Sequence, residues 1–323
     1  PTSAEFMAEF LKVLGAVLPV FLIALLGFQL RRMDWLTKAA DDSLLKVSVN
    51  VLLPCLAFSN ISNNPELLKP ENVLLPPVVG FFSIGLGMAA GWLVRKFATG
   101  STDASGRTFA ISIGVFNFGF VPIPLVRSLF GENAVGVLFV FNVGTLLAMW
   151  SLGVMLLHGD LRTAMRKAIN VPVVTVVLAL VVNATGLHAY IPGLANDTIK
   201  MLGLCGIPMS ILLIGAMMKD HFAECEFRSS FRMCWVSVAL RIGLLPVVMI
   251  ALAKWLPCSI ELQQVLLVQA AMPSAIFPVL IARLYGGNPV VATQVAIVTT
   301  LVSLGTIPIW LRAGAAFVDL DFE

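Results

Sequence analysis

The chain has 323 residues, 59% hydrophobic and 12% charged, with a net charge of +3 at pH 7 and a mean hydropathy of +0.94. That is about half the charge of a soluble domain, which excludes a water-soluble enzyme, and the small, dispersed positive charge excludes a nucleic-acid-binding face. At roughly 20 to 25 residues per crossing, ten crossings use about 220 residues and leave too few for a catalytic or ligand-binding domain outside the bilayer.

Pro1 to Phe6 read as residues left by cloning, because Glu5-Phe6 is what a common restriction site encodes, and Met7 follows. The apolar run after Met7 is too long for a cleaved signal peptide and counts as the first span. A charge at the bilayer centre costs several kcal/mol, so intervals free of Asp, Glu, Lys and Arg mark the crossings. In chain order these are Val13 to Leu30, Val47 to Pro65, Asn72 to Val94, Thr108 to Val126 and Asn133 to Gly159. The second set is Ala168 to Asn196, Met201 to Met218, Met233 to Ala253 with Arg241 in its middle, Leu262 to Ala282, and Leu284 to Leu311. The expected fold class is an all-α integral membrane protein of ten transmembrane helices.

Cytoplasmic loops accumulate Lys and Arg. The loops after spans one, three, five and seven hold Arg31, Arg32, Lys38, Arg95, Lys96, Arg107, Arg162, Arg166, Lys167, Lys219, Arg228 and Arg232, whereas Lys12, Lys69, Lys200, Lys254 and Arg312 share the other side. Both termini are therefore expected outside the cytoplasm, in a multi-pass protein of the plasma (inner) membrane.

Leu129-Phe-Gly-Glu-Asn133-Ala-Val135 and Leu284-Tyr-Gly-Gly-Asn288-Pro-Val290 agree at four of seven positions, 155 residues apart. The chain divides into a first five-helix repeat (7–158), a short cytoplasmic loop (159–170) and a second repeat (171–323). Because five is odd, the second repeat enters the membrane from the opposite side, an inverted arrangement common in secondary transporters with a site near the midplane. The same offset sets Phe118-Gly119 over Pro273-Ser274 in the middle of spans four and nine. Pro122, Pro124, Pro273 and Pro278 each remove a backbone donor, at about 3 kcal/mol in a helix interior, so two broken helices are expected at matched depth. Their freed backbone groups must line a cavity or be buried in protein, and half-helix amino ends there favour an anion. Simple kinks in two bundle helices are the bland alternative.

At these residues the chain resembles the auxin efflux carrier family, which includes the plant PIN-FORMED carriers and many bacterial permeases. The resemblance rests on Gln269-Ala-Ala-Met-Pro273 with Ile276, Pro278, Ala282, Tyr285 and Pro289, on Asn117 with Ile123-Pro124-Leu125 and Phe130-Gly131, and on Arg241 with Pro246 and Pro54. It implies crossed broken helices four and nine around a central site, and a scaffold of spans one, two, six and seven that forms a homodimer. It further implies a transport unit of spans three to five and eight to ten that moves as an elevator carrying carboxylate compounds. The family's site Asn carries over to Asn117, and a polar position on its fifth helix to Asn142. The chain departs in having Phe116 where the plant carriers have Pro and Ala57 where they have Ser, and it lacks their long cytoplasmic loop.

Asn117 can bind a carboxylate or tie down the broken backbone. Gly119, Ser274 beside the second break, and Asn142 and Thr145, three apart on one helix, complete the candidate substrate set, with Phe277 for an apolar substrate body or for packing. Arg241 is an anion attractor or a partner for freed carbonyls, its five donors suiting the latter. Arg127 and Arg283 are expected to snorkel to the interface. No Asp or Glu lies within a span, which argues against a carboxylate-based proton or sodium relay. Five cysteines without a CxxC pair and three scattered histidines suggest no metal, and no cofactor is expected. The expected function is a secondary transporter of small organic anions, possible auxin-like acids among them, working by elevator-type alternating access. The alternative is a sodium-coupled organic anion symporter resembling the bile acid transporters. The absence of HExxH and of paired intramembrane Asp argues against a membrane protease.

Overall fold

A peptide group in hydrocarbon finds no partner except another peptide group, so a chain of this composition must fold as helices. The structure, a computed structural model, describes residues 3–158, 170–222 and 230–322, with backbone alone for 3–10, 158 and 221. Among them there is no strand, only an isolated antiparallel bridge between Phe116 and Ser274. The loop expected at 159–170 lies outside the described residues except for Asn170.

Helix α1 (Ser3–Arg32) closes on Arg31 and Arg32, cations that suit a helix carboxyl end. Helix α2 (Lys38–Ile61) widens into a π-turn at Ser48–Leu52 just before Pro54. Helix α3 (Glu71–Thr99) stops at Gly100, whose φ of 73° is a left-handed cap. Helix α4 (Ala104–Gly114) starts on Asp103, which accepts the Ser105 amide. Helix α5 (Pro122–Ala148) runs on through a π-turn at Met149–Gly153 to His158. The second half has α6 (Val171–Thr185), α7 (Gly193–Phe222), α8 (Phe231–Trp255), α9 (Ile260–Ala270), α10 (Phe277–Leu284) and α11 (Pro289–Val318). Within α8, a π-turn at Ala239–Leu244 precedes Pro246, which cannot donate to Ile242; the Ile242 carbonyl instead accepts the Trp310 indole at 2.7 Å.

Seven of the described helices are long and apolar enough to cross a membrane. Expected spans four and nine are interrupted, as α4 with the start of α5 and as α9 with α10, and α6 has only 15 residues. The end of expected span four and most of expected span five fall in one stretch, Pro122–Leu157, whose 36 residues would reach about 54 Å as one straight rod, far beyond a hydrocarbon core of about 30 Å. The chain turns within it at Gly131 (φ 80°, ψ −179°), a backbone that only glycine adopts without strain. Gly286, its counterpart in the repeated motif, also has a positive φ, 74°. The two helices that follow the breaks, α5 and α10, begin at Pro122 and Phe277, separated by the same 155 residues.

Most helix contacts fall within two sets, although α1 also packs on α11 and α5, and α2 on α5. Helix α1 lies along α7, and α2 packs on α7 and α6; α3 packs on α4 and α5, α9 on α5 and α8, and α11 on α4, α8, α9 and α10. Apolar side chains cover the outer surface, with Phe82 68% and Leu93 82% exposed. An aqueous surface does not tolerate such a display and lipid does; the chain is a multi-pass membrane protein. At one end of the bundle Asn64, just after α2, is tied to α5 and to α6: it donates to the Asn133 carbonyl at 3.0 Å, and Asn183 donates to the Asn64 carbonyl at 2.9 Å. Arg127 belongs to this contact, its guanidinium 3.4 Å from Asn60 Oδ1, so it turns toward α2 rather than to the interface.

Candidate functional site

Residues 115–121 and 271–276 leave the helical path, and each break supplies what the other lacks. The Asn117 amide donates to the Pro273 carbonyl and the Ala275 amide to the Val115 carbonyl, both at 2.8 Å. Unpaired backbone in a membrane interior costs several kcal/mol per group, and this pairing satisfies four groups at once.

Side chains satisfy several others. Arg241, 1% exposed, donates through Nε to the Met272 carbonyl (2.8 Å) and through Nη2 to the Gln269 carbonyl (3.1 Å), and its guanidinium lies 4.6 Å from the centre of the Phe116 ring. It therefore caps the carboxyl end of α9 and does not face the cavity described below. Gln269 Nε2 donates to the Phe118 carbonyl at 3.0 Å and lies 3.5 Å from Asn142 Oδ1. The Ser274 amide donates to Thr299 Oγ1 on α11 at 3.2 Å. Two buried polar atoms at the junction have no hydrogen-bond partner, Gln269 Oε1 and Ser274 Oγ.

Beside the paired breaks lies a cavity of about 830 Å³, bounded by α1, α2, α6 and α7 on one side and by the breaks, α5, α10 and α11 on the other. It extends to Phe28 and Phe222 near the ends of α1 and α7, away from the Asn64–Asn133 contact. Of the residues singled out in the sequence, Asn117, Gly119, Asn142, Pro273, Ser274 and Phe277 line it. None of the described lining residues is ionised at neutral pH; the polar groups are amides and hydroxyls, including Asn50 and Thr300. Asn117 Oδ1 lies 3.5 Å from the Val121 amide, too long for a strong bond. The amino ends of α5 and α10 both begin at the breaks and supply partial positive charge.

Thr145 is fully buried, donates to the Asn142 carbonyl at 2.9 Å and faces α3 instead of the cavity. Pro122, Pro124 and Pro278 also lie off the cavity wall. Pro122 and Pro278 occupy the first turns of α5 and α10, where a missing amide hydrogen is harmless. The breaks are thus made by the residues before those prolines. Phe277 lines the cavity and stacks with Phe118 (6.0 Å, 14°) and with Phe120 (6.1 Å, 17°).

Gln269 was not among the candidate site residues, although it joins both breaks to α5; its signal was a lone amide in an apolar run, one turn before Pro273. Gln269→Leu leaves the Phe118 carbonyl unpaired, and the expected result is a loss of about 1 to 3 kcal/mol in stability. Its melting temperature in detergent should fall below that of wild type; an unchanged value would show that the Gln269 bond is dispensable.

Interrupted apolar helices that meet beside a largely apolar cavity with a few amides and hydroxyls at the breaks are the architecture of a membrane transport protein. Residues 12–164 and 161–311 match the family described as membrane transport protein. The chain belongs to that family, the auxin efflux carriers. It is similar to an uncharacterized transporter of Methanothermobacter thermautotrophicus, 24% identical over 300 residues that cover 91% of this chain and 96% of the relative. An uncharacterized transporter of Methanocaldococcus jannaschii is 22% identical over 306 residues, covering 92% and 97%. Protein ECM3 of Saccharomyces cerevisiae is 28% identical over 149 residues, 42% of this chain and 24% of its own length.

Proposed function

We propose that the protein is a secondary transporter that moves small organic anions, carboxylates in particular, by elevator-type alternating access. The observation that carries this reading is the cavity beside two paired helix breaks, where Asn117 and Ser274 present amide and hydroxyl groups next to two helix amino ends. An anion held there is stabilised by oriented dipoles without an ionised wall.

The ten helices are read as two inverted five-helix repeats with crossed broken helices. Supporting this are the equivalent left-handed glycines Gly131 and Gly286 and the matched starts of α5 and α10. The set α1, α2, α6 and α7 is the scaffold, through which the protein forms a homodimer, and the remaining helices are the moving unit. Two close approaches fall within sets: a Cβ on Gly215 would stand 1.8 Å from the Ala24 carbonyl oxygen, and one on Gly144 1.7 Å from that of Pro77. The cation distribution sets the ends of α1 and α7 in the cytoplasm and both termini outside, so the cavity faces inward here. The described lining residues carry no carboxylate, in keeping with transport down the anion's own gradient and the membrane potential, without an obligatory proton or sodium relay.

The test is uptake into proteoliposomes across a panel of labelled carboxylates, with voltage clamped and proton and sodium gradients absent. Wild type should transport at least one compound. Asn117→Ala should transport it about 10 to 100 times less efficiently, the loss that goes with one hydrogen bond to a charged group. Unchanged transport in the variant would remove Asn117 from the site, and flux that vanishes without a sodium or pH gradient would overturn the uncoupled mechanism.

A further inference from the structure

Three arginines stand at the neighbouring helix ends where α3 stops and α4 and α8 begin. Arg95 lies in the last turns of α3, Arg107 in the first turn of α4 and Arg232 at the start of α8. The loop between α3 and α4 lets them approach through its small residues: Arg95 Cδ lies 3.5 Å from the position of a Cβ on Gly106, and Arg232 Nη2 3.5 Å from that of one on Gly100. A small buried core of Ala98, Phe109, Ile113, Met233, Leu245 and Val291 fixes the three helix ends relative to one another.

Two of the guanidinium groups lie on aromatic rings, and that of Arg95 also donates through Nη1 to the Trp92 carbonyl. Arg95 stacks over Trp92, 3.5 Å from the ring centre, and Arg232 over Phe97 at 5.5 Å. Among the described residues no carboxylate oxygen lies within 4.0 Å of Arg95, Arg107 or Arg232, and the Nε atoms of Arg95 and Arg107 are buried without a hydrogen-bond partner. The nearby acid in the loop is Asp103. Hydrogen bonds from Ser101 and from the Ser105 amide hold its carboxyl below the usual carboxylate range, so it is ionised and offsets one cation, while Lys96 adds another. The loop's polar groups are used internally, Asp103 accepting the Ser105 amide and Ser101 Oγ the Asp103 amide. An anion arriving here therefore meets guanidinium groups.

Directly along the lipid-facing surface from these cations stand exposed apolar side chains on the same two helices, Leu93 and Phe97 on α3 and Phe231 and Trp235 on α8, the last two in edge contact at 6.0 Å. Positive charge with no described carboxylate oxygen within 4.0 Å, above apolar and aromatic surface, matches one class of molecule, with an anionic head and hydrocarbon tails.

We propose that Arg95, Arg107 and Arg232 bind the head group of an acidic phospholipid, whose acyl chains lie along α3 and α8. The bound lipid joins the ends of three helices at one bilayer interface, independently of any substrate in the central cavity.

The experiment compares phosphatidylglycerol with phosphatidylcholine of identical acyl chains, added to the purified full-length chain in detergent. Lipid retention is read by native mass spectrometry and lipid-induced stabilisation by melting temperature. With each cation near an anionic lipid contributing a roughly fivefold factor, wild type should prefer phosphatidylglycerol by about tenfold or more. R95Q/R107Q/R232Q should hold the two lipids within about twofold, while Arg32→Gln, at the exposed end of α1, should keep the wild-type preference. Equal retention of both lipids by wild type overturns the proposal, and so does a preference that survives in the triple variant. If the triple variant does not purify as a monodisperse species, Arg107→Gln and Arg232→Gln decide singly, and an undiminished preference in both is equally fatal.

Discussion

Arg241→Met is expected to cost the folded protein about 3 to 5 kcal/mol, because two hydrogen bonds from a charged donor disappear and the buried Met272 carbonyl loses its partner, while the Gln269 carbonyl keeps only the Met272 amide at 3.3 Å. Methionine fills much of the same volume, so the loss isolates the guanidinium. The carbonyls of Gln269 and Met272 stand at the carboxyl end of α9, where the chain leaves the helix, and no water reaches a side chain that is 1% exposed. Arg241→Lys should rescue little, since an ammonium is a compact point charge, whereas the planar fork reaches two carbonyls at once and lies against Phe116. The measurement is unfolding in a mixed-micelle denaturant titration. A variant as stable as wild type would mean that the broken end of α9 is satisfied by other means.

Gly144→Val is expected to abolish close packing of α3 against α5, at about 3 kcal/mol or more, the upper range for overpacking. A Cβ at this position would fall 1.7 Å from the Pro77 carbonyl oxygen and 2.6 Å from its carbon. The obstacle is backbone, which cannot rotate away as a side chain would. Gly305→Ala on α11 is the control, because nothing lies within 4 Å of its added carbon; it should fold as wild type does. The readout is the monodisperse fraction after detergent extraction, and equal recovery of both variants would show that the two helices have room to separate.

The helical nature of the chain and most helix positions were legible in its charge-free intervals, because insertion energetics and side-chain charge are local properties. The breaks were legible as regions for the same reason: Pro122 and Pro273 advertise a backbone that cannot continue. Their detail was not. Pro122 sits at the first position of a helix, where it favours the structure, and the chain leaves helical geometry at Val115 because a second segment 158 residues away, Pro273, offers an acceptor for the Asn117 amide. Such pairing is a tertiary fact. Thr145 illustrates the limit of helical periodicity: three residues from Asn142 it shares roughly one face, yet the boundary between cavity and α3 passes between the two. The role of Gln269 was hidden because an amide in an apolar run looks alike whether it faces lipid, a ligand or a freed carbonyl.

The solitary guanidinium of Arg241 also has an electrical meaning. If its set of helices shifts across the bilayer, the vacant carrier conveys one positive charge through the transmembrane field, and the carrier loaded with a monovalent anion conveys none. The voltage then acts on the return stroke, with a work of about 2.3 kcal/mol per 100 mV for a full traverse, and the loaded stroke is electrically silent. A residue that serves to finish a helix end would thus also decide which half of the cycle feels the membrane potential.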